Sequence, residues 1–492
     1  MHIGLVSDYT AVDFTCGPAL VTVAMKRHME QRGHDVTIVG PHNAKAPNGS
    51  LLMDASDLKA YPGVRVAWPW PLKKTLAKPD FDVIHSHANS LVMHYAPMMR
   101  AMHGIPCLST NTIHLPAFAQ NLLPDSLYGL RPFLDRWVGL APGMERSFAK
   151  VYNGCDGLIV QCDGLADYWR NRGLDCPLHV IPRPIDVLIF DRPLSGDPIR
   201  ADFERGSRMI MVCRHAREKD VDKAIDIFAR YILPKRPDAS LTLIGDGPEH
   251  DNLIKQAREL GVLHRIDFVG ERPQRDLPDY YANADLFLYP SISETFGQVV
   301  NEALWCGLPV VGIDDGLGVA YQVEHEESGL LSEHGPDMYE QMGYNALRLL
   351  NNPVERRIMG EVAAASSRAR THPNVVYSSY EAAYASAQEN FRRNPPKPRD
   401  IRKANDMMWL VKNHLTPWLW KHAGLTAIGN IRKTSYQPDS NVRFDAVPEA
   451  APAPAPRVAA TAAPSPDRHP SNGRSASRDW PRRPASDNRI GA

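Results

Sequence analysis

The 492-residue chain has no charge to spare: 56 lysines and arginines face 56 aspartates and glutamates, for a formal net charge of +0. Such a balance sets up no overall field for a polyanion, so no nucleic-acid partner is expected. Cysteine is scarce and odd in number, with seven residues at positions 16, 107, 155, 162, 176, 213 and 306. None of them makes a CxxC pair, and cysteine and histidine nowhere gather at zinc spacing. They read as small apolar residues of a reducing compartment, not as a disulfide framework. Long apolar runs are missing too, and none approaches the roughly 20 residues of a membrane-spanning helix. The first residues, Met1 to Asp8, lack the basic region and apolar stretch of a secretory signal. The expected location is cytoplasmic, with at most a peripheral place on the inner face of the plasma membrane.

What is present is a series of short apolar runs. The chain is too long for one core, and two domains are the starting expectation. Ile3 to Ser7 reads as a first parallel strand, and a loop over 13–19 leads into a helix ending near Gly33. Asp35 to Gly40 then supplies a second strand. This βαβ opening predicts an α/β, doubly wound, nucleotide-type domain. Further strands are expected at Phe81 to His87, from Ile105 towards His114 and at Cys155 to Val160, and His179 to Asp186 leads out of the domain. After a polar linker, others follow at Met209 to Cys213, within Ser240 to Glu249 (a strand and tight turn), at Arg265 to Gly270, Asp285 to Pro290 and Pro309 to Ile313. His85 and His87 alternate onto one face. With no third ligand nearby, structural or acceptor-side roles outweigh a metal pair.

The chain is organised around Ser293-Glu294-Thr295-Phe296-Gly297-Gln298-Val299-Val300-Asn301-Glu302. Gly297 opens a helix with Val299, Val300, Ala303 and Leu304 on its packing face, and a helix start is a natural anion site. Glu294 lies ahead of that helix and Glu302 more than a turn into it. As a lone pair they would be two solvated glutamates. Upstream, the strand ending at Cys213 delivers Arg214 and, five residues on, Lys219. A guanidinium fork and a point charge at that spacing suit a diphosphate. Asp220-Val221-Asp222 has the letters of a DxD metal motif, but its place at a helix start favours capping, and no metal is expected.

Two glutamates at E-x7-E spacing, with Phe296-Gly297 after the first and Cys306-Gly307-Leu308-Pro309-Val310-Val311 behind, resemble the retaining GT-B glycosyltransferases of family 4 (glycosyltransferase group 1). The resemblance covers roughly residues 1–390 and is most specific over 209–313. It implies two Rossmann-like domains facing a cleft, a hexosyltransferase activity, and a nucleotide-sugar as co-substrate with no further cofactor. Carried over residue by residue, it places Glu294 at the donor sugar, Glu302 at the ribose and Arg214 with Lys219 on the diphosphate. It also sets His114 against the sugar, and the Phe296-Gly297-Gln298 backbone against phosphates and sugar. Gly17 falls in the loop that usually carries two adjacent glycines, but Pro18 stands where the second would be and has no N–H to offer.

Weaker likeness to enzymes that glycosylate diacylglycerol comes with apolar, cation-flanked stretches at 68–74 and 118–137, and a further amphipathic, cationic stretch at 395–435 is an addition not typical of the family's core. Aromatics beside cations suit an anionic membrane surface, and a buried helical face explains them equally well. The acceptor is a membrane lipid, a soluble glycan or a small molecule, with UDP preferred to GDP on the donor. A related GT-B epimerase or phosphorylase, or a membrane-bound scaffold with a worn donor site, are the rivals. The domains are expected at 1–190 (acceptor), 191–207 (linker), 208–370 (nucleotide-sugar), 371–394 (a helix crossing back) and 395–435 (amphipathic extension). An Ala/Pro/Ser/Arg tail, expected to be disordered, fills 436–492.

Overall fold

The computed structural model describes residues 1–11, 17–53, 55–57, 65–67, 79–89, 91–113 and 140–397. His114, the stretches 68–74 and 118–137, and the extension and tail from 398 onward lie outside the described residues.

Two parallel sheets form the body. The first takes β1 (His2–Val6), β2 (Asp35–Pro41), β3 (Leu51–Met53), β6 (Val83–Ser86), β7 (Cys107–Thr110), β8 (Leu158–Val160) and β9 (Leu178–Val180) in the order β3-β2-β1-β6-β7-β8-β9. A small hairpin of β4 (Ala55–Asp57) and β5 (Arg65–Ala67) stands apart from it. The second sheet takes β10 (Arg208–Val212), β11 (Ser240–Ile244), β12 (Ile266–Gly270), β13 (Leu286–Tyr289), β14 (Val310–Ile313) and β15 (Gly329–Ser332), ordered β12-β11-β10-β13-β14-β15. Central strands such as β7, β10 and β13 are buried along their whole length, as strands with both faces covered must be. Each sheet reverses its strand order once, at β1/β6 and at β10/β13. Ligands of open α/β sheets collect at the carboxyl ends of strands beside such switch points.

Several local expectations change. Gly17 and Pro18 are not loop residues: they form the first turn of the Gly17–Gln31 helix, where proline's missing N–H costs nothing. Asp220 stands at the cap position of the Val221–Ile227 helix but makes no capping bond. Its backbone is left-handed, φ 54, whereas a capping side chain needs an extended backbone to fold over the first turn. Burial, aided by Asp222, instead pushes the Asp220 carboxyl up to about 6.

The last helix, Pro373–Arg393, lies on the first sheet. Val376, Tyr377, Tyr380, Ala383, Tyr384 and Ala387 are buried with Ile3, Leu5, Val83, Leu108 and Ile159. A buried ion pair ties down its far end. Arg100 grips the fully buried Asp156 with two bonds of 2.9 and 2.8 Å, and also donates to the Asn394 carbonyl at 2.6 Å. Asp156 further accepts from the Cys107 N–H at 3.0 Å. Arg100→Ala strands that carboxylate and should cost about 3–5 kcal/mol in denaturant unfolding, whereas an apolar replacement of both partners should cost much less. Equal losses would show that the pair is not the source.

Candidate active site

The β10/β13 switch point brings the two charged stretches together. β10 runs out into Cys213 and Arg214, and Lys219 closes a short turn of 3₁₀ helix, Arg217–Lys219. β13 runs out into Pro290, Ser291 and the turn carrying Glu294. Neighbouring parallel strands thus deliver, 75 positions apart in sequence, a Lys219 Nζ to Glu294 Oε1 contact of 2.5 Å. Tyr289 Oη and Ser291 Oγ donate to the same oxygen, each at 2.9 Å. Burial raises the Glu294 carboxyl, but the Lys219 ammonium and these donors outweigh it, and the group is held below its ordinary value. Lys219 is correspondingly raised: desolvation lowers it and the Glu294 charge more than compensates. The pair is therefore ionised around neutrality.

The turn is clamped from behind. The Gly318 N–H donates to the Glu294 carbonyl at 2.9 Å, and the Gln322 amide donates to the Phe296 and Gly318 carbonyls. A Cβ on Gly318 would come within 2.5–2.7 Å of the Phe296 backbone, so the turn and the Gly318–Gln322 helix meet only through glycine. Gly318→Ala should shift Glu294 and lower kcat/KM about tenfold to a hundredfold, since small displacements of reacting groups are that costly. Unchanged kinetics in a folded variant would free the turn from this constraint.

Gly297, at φ 79, starts the Gln298–Trp305 helix. The N–H groups of Val300 and Asn301 turn back to its carbonyl, and the first-turn N–H groups ahead of them are the usual orphans of a helix start. Phe296 is fully buried and its carbonyl is occupied, so it can offer the cleft only its own N–H. Gln298 donates from Nε2 to the Pro184 carbonyl at 3.4 Å, while its buried Oε1 has no partner. Glu302, 2% exposed, accepts from Gln274 at 2.7 Å and from Tyr281 at 3.1 Å. Burial pushes its carboxyl up to about 7, against those two bonds. Arg214 is half-exposed and paired with Glu218 at 2.5 Å.

The first lobe reaches the same region. Thr295 Oγ1 lies 3.4 Å from the Thr112 carbonyl, and Pro184 meets Gln298. His85 is saturated, bonded to Tyr384 at 2.9 Å and Thr110 at 2.7 Å. His87, 4.3 Å from His85 between ring centroids, keeps a buried Nε2 without a partner. Among the described residues no group of three or more His, Cys, Asp or Glu could hold a metal ion.

Lys219 and Glu294 thus meet at the switch point just ahead of one helix, Glu302 lies more than a turn into that helix, and the first lobe is opposite. Residues 16–187 match the profile of Glycosyltransferase Family 4, and residues 199–365 that of Glycosyl transferases group 1. The chain carries two glycosyltransferase domains, one in each lobe. The glycosyltransferase is similar to the N-acetyl-alpha-D-glucosaminyl L-malate synthase of Bacillus anthracis, 31% identical over 36% of this chain and 44% of that one. It is also similar to the alpha-monoglucosyldiacylglycerol synthase of Streptococcus pneumoniae, 27% identical over 42% and 52%. The glycosyltransferase thus spans about half or less of the length of the curated relatives it matches first. Its fold is that of HepE from Anabaena, solved with UDP and glucose: the TM-score is 0.58 at 17% identity, over 78% of this chain and 99% of that one.

Four side chains of the glycosyltransferase site were not singled out from the sequence: Tyr289 and Ser291 on Glu294, and Gln274 and Tyr281 on Glu302. Tyr289 and Ser291 carried a signal, since they sit at the end of the strand that runs into Glu294. Gln274 and Tyr281 carried none.

Proposed function

We propose that this glycosyltransferase moves a hexosyl group from a nucleotide-sugar to an acceptor hydroxyl with retention of configuration. The observation that carries the reading is the Lys219–Glu294 pair held at the start of the Gln298–Trp305 helix. The donor's sugar C1–O bond breaks as the acceptor oxygen bonds to the same face of C1. The nucleoside diphosphate leaves, and one of its oxygens takes the acceptor proton. Charge therefore develops on the diphosphate, and catalysis is electrostatic preorganisation towards it. Lys219 has three donors, so it can keep Glu294 and still bind a phosphate oxygen. Arg214 supplies the fork once it lets go of Glu218, and the orphan N–H groups of the helix start complete the cradle. Glu294, fixed through Oε1, orients sugar hydroxyls through Oε2, and Glu302 accepts from the ribose. Gly17 and His114 are the remaining proposed contacts, on the phosphate and the sugar.

A UDP-sugar is the donor we infer first, a reading supported by the fold shared with the UDP-bound HepE. Other relatives are named for GDP-mannose and for inositol phosphate, so both nucleotides enter the test. The acceptor we place first is a membrane lipid presented at an anionic surface on the cytoplasmic side. The lipid-directed relative and the aromatic, cationic composition of 395–435 support it. No described helix is long and apolar enough to cross a membrane.

The experiment offers a panel of UDP- and GDP-sugars with a bacterial lipid extract and follows nucleoside diphosphate release and new glycolipid. Both should appear with one donor, and the product should keep the donor's anomeric configuration. Release that depends instead on a soluble acceptor would displace the lipid. An inverted product would overturn retention.

A further inference from the structure

Arg183 stands between Pro182 and Pro184, just past β9, where the chain leaves the first sheet for the second. Most arginines described here are tied to a carboxylate or a carbonyl, but Arg183 has neither an ion pair nor a hydrogen bond among the described residues. The groups within electrostatic reach of its guanidinium are Tyr380, Glu294 and His87. They come from the last helix, the donor-side turn and the residue just past β6, and the neighbouring Pro184 carbonyl meets Gln298, so Arg183 lies where the two lobes meet. Its desolvation is large enough to lower its own pKa. The residue is nevertheless only partly buried, so its unpaired N–H donors can be reached by a ligand.

The surroundings are unfinished as well. His87, 7% exposed, keeps Nε2 buried and unbonded. Burial first, and the Arg183 charge second, push its imidazole down to about 3, so it is a neutral ring whose Nε2 is unbonded. Gln298, whose Nε2 contacts Pro184, keeps its Oε1 buried and unbonded. One fixed positive charge beside a free ring nitrogen and a free amide oxygen is the complement of an oxyanion next to a hydroxyl.

We propose that Arg183 is the oxyanion-binding group of the acceptor subsite, holding a phosphate or carboxylate on the acceptor while His87 and Gln298 contact its polar neighbours. The proposal rests on the glycosyltransferase reading above and sharpens it: the acceptor is anionic, not a neutral diglyceride. The acceptor is favoured over the donor diphosphate because His87 and Tyr380 belong to the first lobe, whereas Arg214, Lys219 and the helix start already serve the diphosphate.

The test uses the full chain saturated with UDP, or with GDP if that binds instead, and titrates inorganic phosphate against an equal ionic strength of chloride. Wild type should take up phosphate without releasing the nucleotide. Arg183→Ala should weaken phosphate at least about tenfold, the usual worth of a charge-assisted bond, with Arg183→Lys between the two and nucleotide affinity unchanged in both. Because Arg183 is partly exposed and makes no described bond, Arg183→Ala should leave Tm essentially unchanged. Equal phosphate binding in wild type and Arg183→Ala overturns the proposal, as does a marked fall in Tm, which would make Arg183 structural. Weakened nucleotide binding in Arg183→Ala also overturns it, by assigning Arg183 to the donor. If wild type binds neither nucleotide, the glycosyltransferase reading fails. Phosphate is then titrated into the free protein, where the same tenfold difference decides the role of Arg183.

Discussion

Lys219→Ala should lower kcat by about a hundredfold to a thousandfold, the effect expected when one preorganised donor to a developing anion is removed from a desolvated site. It should also destabilise the protein by about 3–5 kcal/mol, because Glu294 is left buried without its cation. Glu294 would then keep only Tyr289 and Ser291 as donors, and its carboxyl should rise from its depressed value. Glu294→Gln preserves the shape of the turn but removes the charge that orients Lys219, and it should be nearly as inactive. In a double-mutant cycle, Lys219→Ala with Glu294→Gln should lose far less than the sum of the two, since each acts through the other. The pH dependence has a definite sign. A carboxyl held below its unfolded value contributes stability above that value, near 4.5, and loses it as pH falls through the folded pKa. Wild type should therefore show an acid-dependent loss that Glu294→Gln lacks. Additive kinetic losses would separate the two residues functionally.

The second large effect concerns Glu302, whose carboxyl is pushed up to about 7 by burial. As a carboxylate it can accept two ribose hydroxyls beyond the bonds from Gln274 and Tyr281. Once protonated, it loses acceptor capacity. Binding therefore favours the ionised form and pulls its pKa down. Nucleotide affinity should be flat above about pH 7 and should fall by up to about tenfold per pH unit below it, until the bound-state pKa is reached. Glu302→Gln should bind about ten to a hundred times more weakly and show no such slope. Nucleotide affinity in wild type that is level between pH 6 and 8 would remove Glu302 from the ribose.

These two carboxylates mark how far the sequence could be read. The strand runs were legible because parallel strands covered on both faces are short, continuous and apolar, and β10 (Arg208–Val212) lies one residue from its expected bounds at each end. β3 and β15 escaped notice: Leu51–Met53 is three residues long, and Gly329–Ser332 begins on glycine and ends on serine. The family resemblance located Glu294 and Glu302, but neither it nor their spacing could assign their opposite electrostatics. The fate of each carboxyl depends on donors brought in by other elements, a lysine from beyond β10 for one and only an amide and a phenol for the other. Local rules misplaced two residues. Pro18 continues the Gly17–Gln31 helix instead of breaking a loop, and Asp220 takes a left-handed backbone that forbids the cap its letters suggest. Arg183 was invisible for a different reason. A charged residue between two prolines looks like linker until Tyr380, 197 positions away by subtraction, and His87 are found beside it.

The central claim is that the β10/β13 switch point holds a nucleoside diphosphate, and calorimetric titration of UDP and GDP into the full chain tests it most directly. One of the two should bind one to one with a Kd on the order of micromolar, weakened at least about tenfold in Lys219→Ala, as expected for loss of a charge-assisted bond to phosphate. Failure of both nucleotides to bind at millimolar concentration, or equal binding in wild type and Lys219→Ala, would contradict it.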